Sequence, residues 1–182
     1  MRNIKVLFYP LIFIALSCGG EEKTPHEKSI DEIKAWQIKA DSSIQKNENV
    51  SGICDSLITH YEHFVNAYPQ DTFVPECLER IASLNQRLKQ FEKAEIAMEK
   101  FQKMFPKHKK IPFILFQEAI MFQTDMHQLG KAKDKFNELI LKYPNTKWAS
   151  DAKIIMESNA SSDIELFNSI MKNAEDKKIT KK

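Results

Sequence analysis

The residues that could do chemistry in this chain are few. His60-Tyr61-Glu62-His63 sets two imidazoles three apart on one helical face, with a carboxylate between them. Such a pair holds a divalent ion weakly. A structural zinc site wants four ligands, and the hydrolytic His-Glu-x-x-His spacing is missing here. Tyr61 belongs to a packing phrase described below, so its neighbours His60 and His63 are expected on the outer side of a helical hairpin. Cys54 and Cys77 offer thiols, but neither lies in a motif that would activate a nucleophile. No glycine-rich loop is present to cradle a phosphate, and the whole chain has only 4 glycines. Metal-dependent and hydrolytic enzyme classes therefore rank last; no catalytic residue, metal ligand set or cofactor is assigned.

Cys18 invites chemistry of another kind. Arg2 and Lys5 precede an apolar run from Val6 to Leu16, broken by Pro10 and followed by Ser17-Cys18-Gly19-Gly20. The run is too short to span a bilayer, which takes about 20 apolar residues, and it reads as a signal peptide over residues 1–17. A cysteine after a small residue at this boundary resembles the bacterial lipobox. The departure is Leu16, which stands two residues before Cys18 where the usual leucine stands three before. Cys18 is the expected lipidation site, its thiol taking a diacylglycerol and its new amino terminus an acyl chain. One chain alone anchors marginally, whereas two or more anchor stably. Residues 18–29 are polar, with Gly and Pro, and read as a flexible tether. Glu21-Glu22 within it is either a solvated linker or an acidic signal like those of surface-exported lipoproteins.

The elements that must position these residues follow from a repeated phrase. It runs Leu57-x3-Tyr61-x2-Phe64-x3-Tyr68-Pro69, then Ala94-x3-Met98-x2-Phe101-x3-Phe105-Pro106, then Ala132-x3-Phe136-x2-Leu139-x3-Tyr143-Pro144. The three prolines lie 37 and 38 residues apart, a period that marks stacked helical hairpins unable to bury their apolar faces singly. A first helix is expected from Ile30, with Ser29 and Glu32 as a capping box and a stripe of Ile30, Ile33, Trp36 or Gln37, Ala40 and Ile44. Six more follow: to Tyr68, over Thr72–Arg87, over Gln90–Phe105, from Ile111, from Gly130 to Lys142, and from Thr146 or Lys147. An eighth is expected over Asp163–Asn173, and residues 174–182 form a basic disordered tail. Antiparallel pairing puts Cys54 about 9 residues, or roughly 14 Å, beyond the position opposite Cys77. A disulfide needs Cα atoms within about 7 Å, so two buried unpaired thiols are expected.

At this point the chain resembles a family. A small residue, an aromatic four on, another three on and a closing Tyr-Pro are similar to the tetratricopeptide repeats. The long-period form resembles the repeats of the outer-membrane β-barrel assembly lipoprotein and of the Tol-Pal-associated periplasmic protein. The resemblance covers residues from about 30 to 172, with Ala94 and Ala132 at the family's small contact position and Gly130 at its turn glycine. Leu57 departs from the first, Gln90 and Ile53 from the second. It implies an all-α, right-handed solenoid of about four hairpins over residues 30–173. The implied role is that of a lipid-anchored interaction scaffold at the bacterial outer membrane, facing the periplasm, in outer-membrane assembly or maintenance. A surface-exposed lipoprotein that binds an extracellular ligand is the alternative.

Partners are then envelope proteins, and the membrane through the N-terminal lipid. Formal net charge is +2 and falls to near zero once Arg2 and Lys5 are removed, so no basic field exists for nucleic acid. The helix from Ile111 is apolar nearly all round. Aligned with Leu78, Ile81 and Ala82, its core positions are Phe116, Ala119 and Ile120, which leaves Leu115, Phe122 and Met126 over. These are either buried by a curved solenoid or form an apolar contact patch. With Glu79 and Arg87 they make up the candidate partner-binding set.

Overall fold

A computed structural model describes residues 22–46 and 50–159. Over these the chain is all-helical: α1 Pro25–Gln45, α2 Ser51–Ala67, α3 Val74–Arg87, α4 Phe91–Met104, α5 Ile111–Thr124 and α6 Leu129–Lys142, followed by α7 over residues 147–159. From α1 to α6 each helix packs on the next, so the hairpins α1/α2, α3/α4 and α5/α6 stack into a helical-repeat solenoid. No described helix is long and apolar enough to cross a membrane. Cys18, the tether's first residues, the expected eighth helix and the basic tail fall outside the described residues.

Nine residues of the repeated phrase lie in the core. Leu57, Tyr61 and Phe64, Ala94, Met98 and Phe101, and Ala132, Phe136 and Leu139 are each at most 3 % exposed. A fully buried large side chain of this kind contributes about 1.5–3 kcal/mol. The prolines end the second helices alike. Tyr68, Phe105 and Tyr143 stand at φ −131, −129 and −133°, outside the helical region that the following proline disfavours. Each still donates its N–H one turn back, to Phe64, Phe101 and Leu139, at 2.9 Å. The connections then repeat. Asp71 and His108 donate their N–H to the carbonyls of Tyr68 and Phe105 at 3.0 Å, and Thr146 donates to Tyr143 at 3.2 Å. The same three side chains accept backbone N–H groups two or three residues on: Phe73 to Asp71 Oδ1 at 2.7 Å and Lys110 to His108 Nδ1 at 3.2 Å, both just before the next helix, and Ala149 to Thr146 Oγ1 at 3.2 Å in the first turn of α7.

Three local expectations are corrected. The first helix begins at Pro25, not Ile30. Its capping box is Thr24 with Glu27: Glu27 N–H donates to Thr24 Oγ1 at 3.2 Å, and Thr24 N–H donates to Glu27 Oε2 at 2.8 Å. Ser29 lies buried inside the helix. Pro25 sits at N1, where a missing N–H costs nothing. Gly130 is the second residue of α6, and a Cβ there would meet nothing. The left-handed residues of the α3/α4 and α5/α6 turns are Lys89 (φ 58°) and His127 (φ 53°). On α1 both Trp36 and Gln37 face inward: Trp36 packs on the core, and Gln37 donates to the Tyr61 hydroxyl at 2.6 Å.

Candidate functional site

The proposed partner-binding residues do not form one surface. Leu115 and Phe122 are each 1 % exposed and belong to the core, and the Lys131 ammonium lies 4.8 Å from the Phe122 ring centroid. They are closed over and cannot anchor a partner. Met126 is half-buried against the core's edge. Glu79 is half-buried and ion-paired to Lys110. Arg87 alone is exposed, at the end of α3.

The reason is a register one residue off. Val74-Pro75 and Ile111-Pro112 both open a helix after connections of equal length, so α3 maps onto α5 at an offset of 37. Leu78 then corresponds to Leu115, Ala82 to Ala119 and Asn85 to Phe122. Phe116 and Ile120, expected in the core, are only half-buried. Phe116 and Phe113 instead pack on Trp148 of α7, with ring centroids 5.3 and 4.9 Å away. Neighbours on several sides account for a helix apolar nearly all round.

That register exposes an anomaly at Glu118. It corresponds to Ile81, yet it is fully buried. Its Oε2 accepts from Lys135 Nζ of α6 at 2.9 Å and from Gln102 Nε2 of α4 at 2.8 Å. Its Oε1 has no hydrogen-bond partner among the described residues. Burial pushes the Glu118 carboxyl above the usual carboxylate range, against the pull of Lys135 and Gln102. Carboxylate oxygens of Glu95 and Glu99 lie within 4.8 Å of it and of each other. Lys131 pairs with Glu95 at 3.3 Å. Two ammonium groups thus stand against three carboxylates, and the cluster ties α4, α5 and α6 together.

The equivalent place one repeat earlier is open. Between α2 and α4, over α3, lies a cavity of about 280 Å³. Val65, Leu78, Ile81 and Ala97 form its apolar floor with Asn85, whose Nδ2 donates to the Ile81 carbonyl at 2.8 Å. Lys93, Lys100, Glu62 and Ile96 stand on its rim, and Ile96 is 63 % exposed. Sequence reasoning missed this cleft, although Ile96 breaks the polar face of α4 in the sequence itself.

The chemical candidates are scattered. His60 packs on Trp36 with ring centroids 5.6 Å apart and faces Glu32 at 3.6 Å, so its face is covered by α1; His63 is exposed. Cys54 and Cys77 are buried and unpaired, as expected. Burial, helped by Glu76 and Asp71, pushes the Cys77 thiol up to about 12, and burial also raises Cys54. Neither is poised as a nucleophile.

Fold and turns together define a tetratricopeptide-like helical repeat protein. Residues 88–161, from the end of α3 through α7, match the family model YfiO, described as an outer membrane lipoprotein. Over that stretch the chain is similar to that lipoprotein family, in line with the resemblance carried by its repeated phrase.

Proposed function

We propose that the protein is a lipid-anchored interaction scaffold of the bacterial cell envelope, held at the outer membrane through Cys18, facing the periplasm and serving outer-membrane assembly or maintenance. The carrying observation is the match of residues 88–161 to an outer membrane lipoprotein family, on a chain that opens with an apolar leader and a cysteine. In support of a binding role over catalysis, the Asp71, His108 and Thr146 side chains of the repeat turns are engaged by backbone N–H groups two or three residues on. Cys54 and Cys77 have raised thiol pKa values. Of the five partner-binding candidates, exposed Arg87 and half-buried Glu79 and Met126 stay in the proposal, while Leu115 and Phe122 leave it.

The test is fractionation of cells carrying Cys18→Ala. The protein should move from the membrane pellet, washed with carbonate, to the soluble fraction; retention in the pellet refutes the anchor. Glu21-Glu22, just past Cys18 and Gly19-Gly20, carries surface display as the second reading. Protease added to intact cells separates the two, since only a displayed protein is digested.

A further inference from the structure

We infer that the cleft between α2 and α4 docks a peptide segment of a partner protein, carrying a large apolar side chain with carboxylates within a turn of it. This rests on the scaffold reading above and assigns it a site and a partner chemistry.

The repeat itself shows that the cleft is specific to its place. At the next junction the same positions are filled. Asn85 is replaced by Phe122, Ile81 by Glu118, Val65 by Gln102 and Ala97 by Lys135. Phe122 and the Gln102–Glu118–Lys135 network occupy that second cleft with buried ring and hydrogen-bonded side chains. The first junction has Val65, Ile81, Ala97 and an asparagine smaller than the phenylalanine at these points and leaves about 280 Å³ open. Small-molecule sites run from about 300 to 1,000 Å³, so the space suits one inserted side chain better than a whole small ligand. Exposed Ile96 extends the apolar surface at the mouth.

The rims differ in the same sense. At the second junction, Lys131 is paired with Glu95 and Glu138 with Lys142. Their counterparts at the first junction are Lys93 and Lys100. Lys93 has no ion pair among the described residues, and Lys100 has only a long 3.4 Å hydrogen bond to Asn66 Oδ1. The two lie seven residues, about 10 Å, apart along α4, with one carboxylate, Glu62, across from them. Two cations around an apolar well complement an acidic segment with an apolar anchor.

The test uses the full chain in nanodiscs and a fluorescein-labelled, amidated peptide Glu-Asp-Leu-Phe-Asp-Leu-Glu-Asp, read by anisotropy. Saturable binding is expected, weakening with salt. An analogue with Lys at the acidic positions and one with Ala at the apolar positions should both bind at least about tenfold more weakly. Lys93→Glu with Lys100→Glu changes only exposed side chains. It should weaken binding about tenfold, because both exposed cations of the rim reverse sign. Ala97→Leu should block the well to a similar degree. Absence of saturable binding, equal binding of the lysine analogue, or full binding by the charge-reversed variant overturns the proposal. Co-purification from envelope membranes separates the two claims. If wild type and the charge-reversed variant carry the same proteins, the scaffold stands and the cleft assignment falls; if wild type carries none, the scaffold reading fails.

Discussion

Glu118 offers the sharpest energetic test of the packing. Its carboxylate is fully buried, with one oxygen held by Lys135 and Gln102 at 2.9 and 2.8 Å and the other unpartnered. The preceding repeat has Ile81 at this place, so the surroundings accept an apolar side chain. Lys135→Met strips the carboxylate of its cation and should cost about 3–5 kcal/mol, the penalty of a buried charge left unpaired. Glu118→Leu with Lys135→Met removes both charges and their desolvation. It should be neutral or more stable than wild type by about 1–4 kcal/mol. The sign of the pH dependence follows from the raised folded-state value. A group bound more tightly to its proton in the folded state contributes stability that is complete below its unfolded pKa and is lost as pH rises through the folded one. Lowering pH from neutral toward the ordinary carboxylate range should therefore add stability through this group, and Glu118→Gln should abolish that gain. Urea unfolding followed by circular dichroism at several pH values measures all of it. A Lys135→Met protein as stable as wild type, or a double variant destabilised by as much as Lys135→Met alone, would refute this account of the network.

Lys89→Gly and His127→Gly should each raise stability by about 0.5–1 kcal/mol, because both residues hold left-handed backbone at φ 58 and 53°; thermal melts showing a loss would mean their side chains matter more than their backbone. Ala132, 3 % exposed at the helix crossing, should resist enlargement. Ala132→Phe should cost about 1–3 kcal/mol, and an unchanged melting temperature would contradict the packing. Cys77, with its thiol pushed up to about 12, should be alkylated by iodoacetamide at pH 8 about a thousandfold more slowly than in the unfolded chain. Comparable rates, read by mass spectrometry, would show that the site opens.

The repeat was legible because its signals are local. Tyr68-Pro69, Phe105-Pro106 and Tyr143-Pro144 end their helices by steric rule, and the phrase residues before them lie in the core. Helix boundaries fell within a few residues except at α1, where Thr24 and Glu27 form the same kind of cap as that expected of Ser29 and Glu32, one and a half turns earlier. The partner-binding residues were not legible. Matching apolar residues put Leu78 on Phe116, whereas the equal connections that follow Pro69 and Pro106 put it on Leu115. One residue is about 100° around a helix, enough to turn a supposed surface side chain into the core. Glu118 had a signal that could have found it, a carboxylate at the period of Ile81. The open cleft had almost none, since it arises from side chains of α2, α3 and α4 that fail to fill a junction.

Site-specific photo-crosslinking from Arg87, exposed at the end of α3, tests the scaffold most directly. With the photoreactive residue there in living cells, the account predicts discrete adducts with envelope proteins in the membrane fraction, lost when Cys18 is changed to Ala. A protein that stays free of adducts in the wild-type background would contradict it.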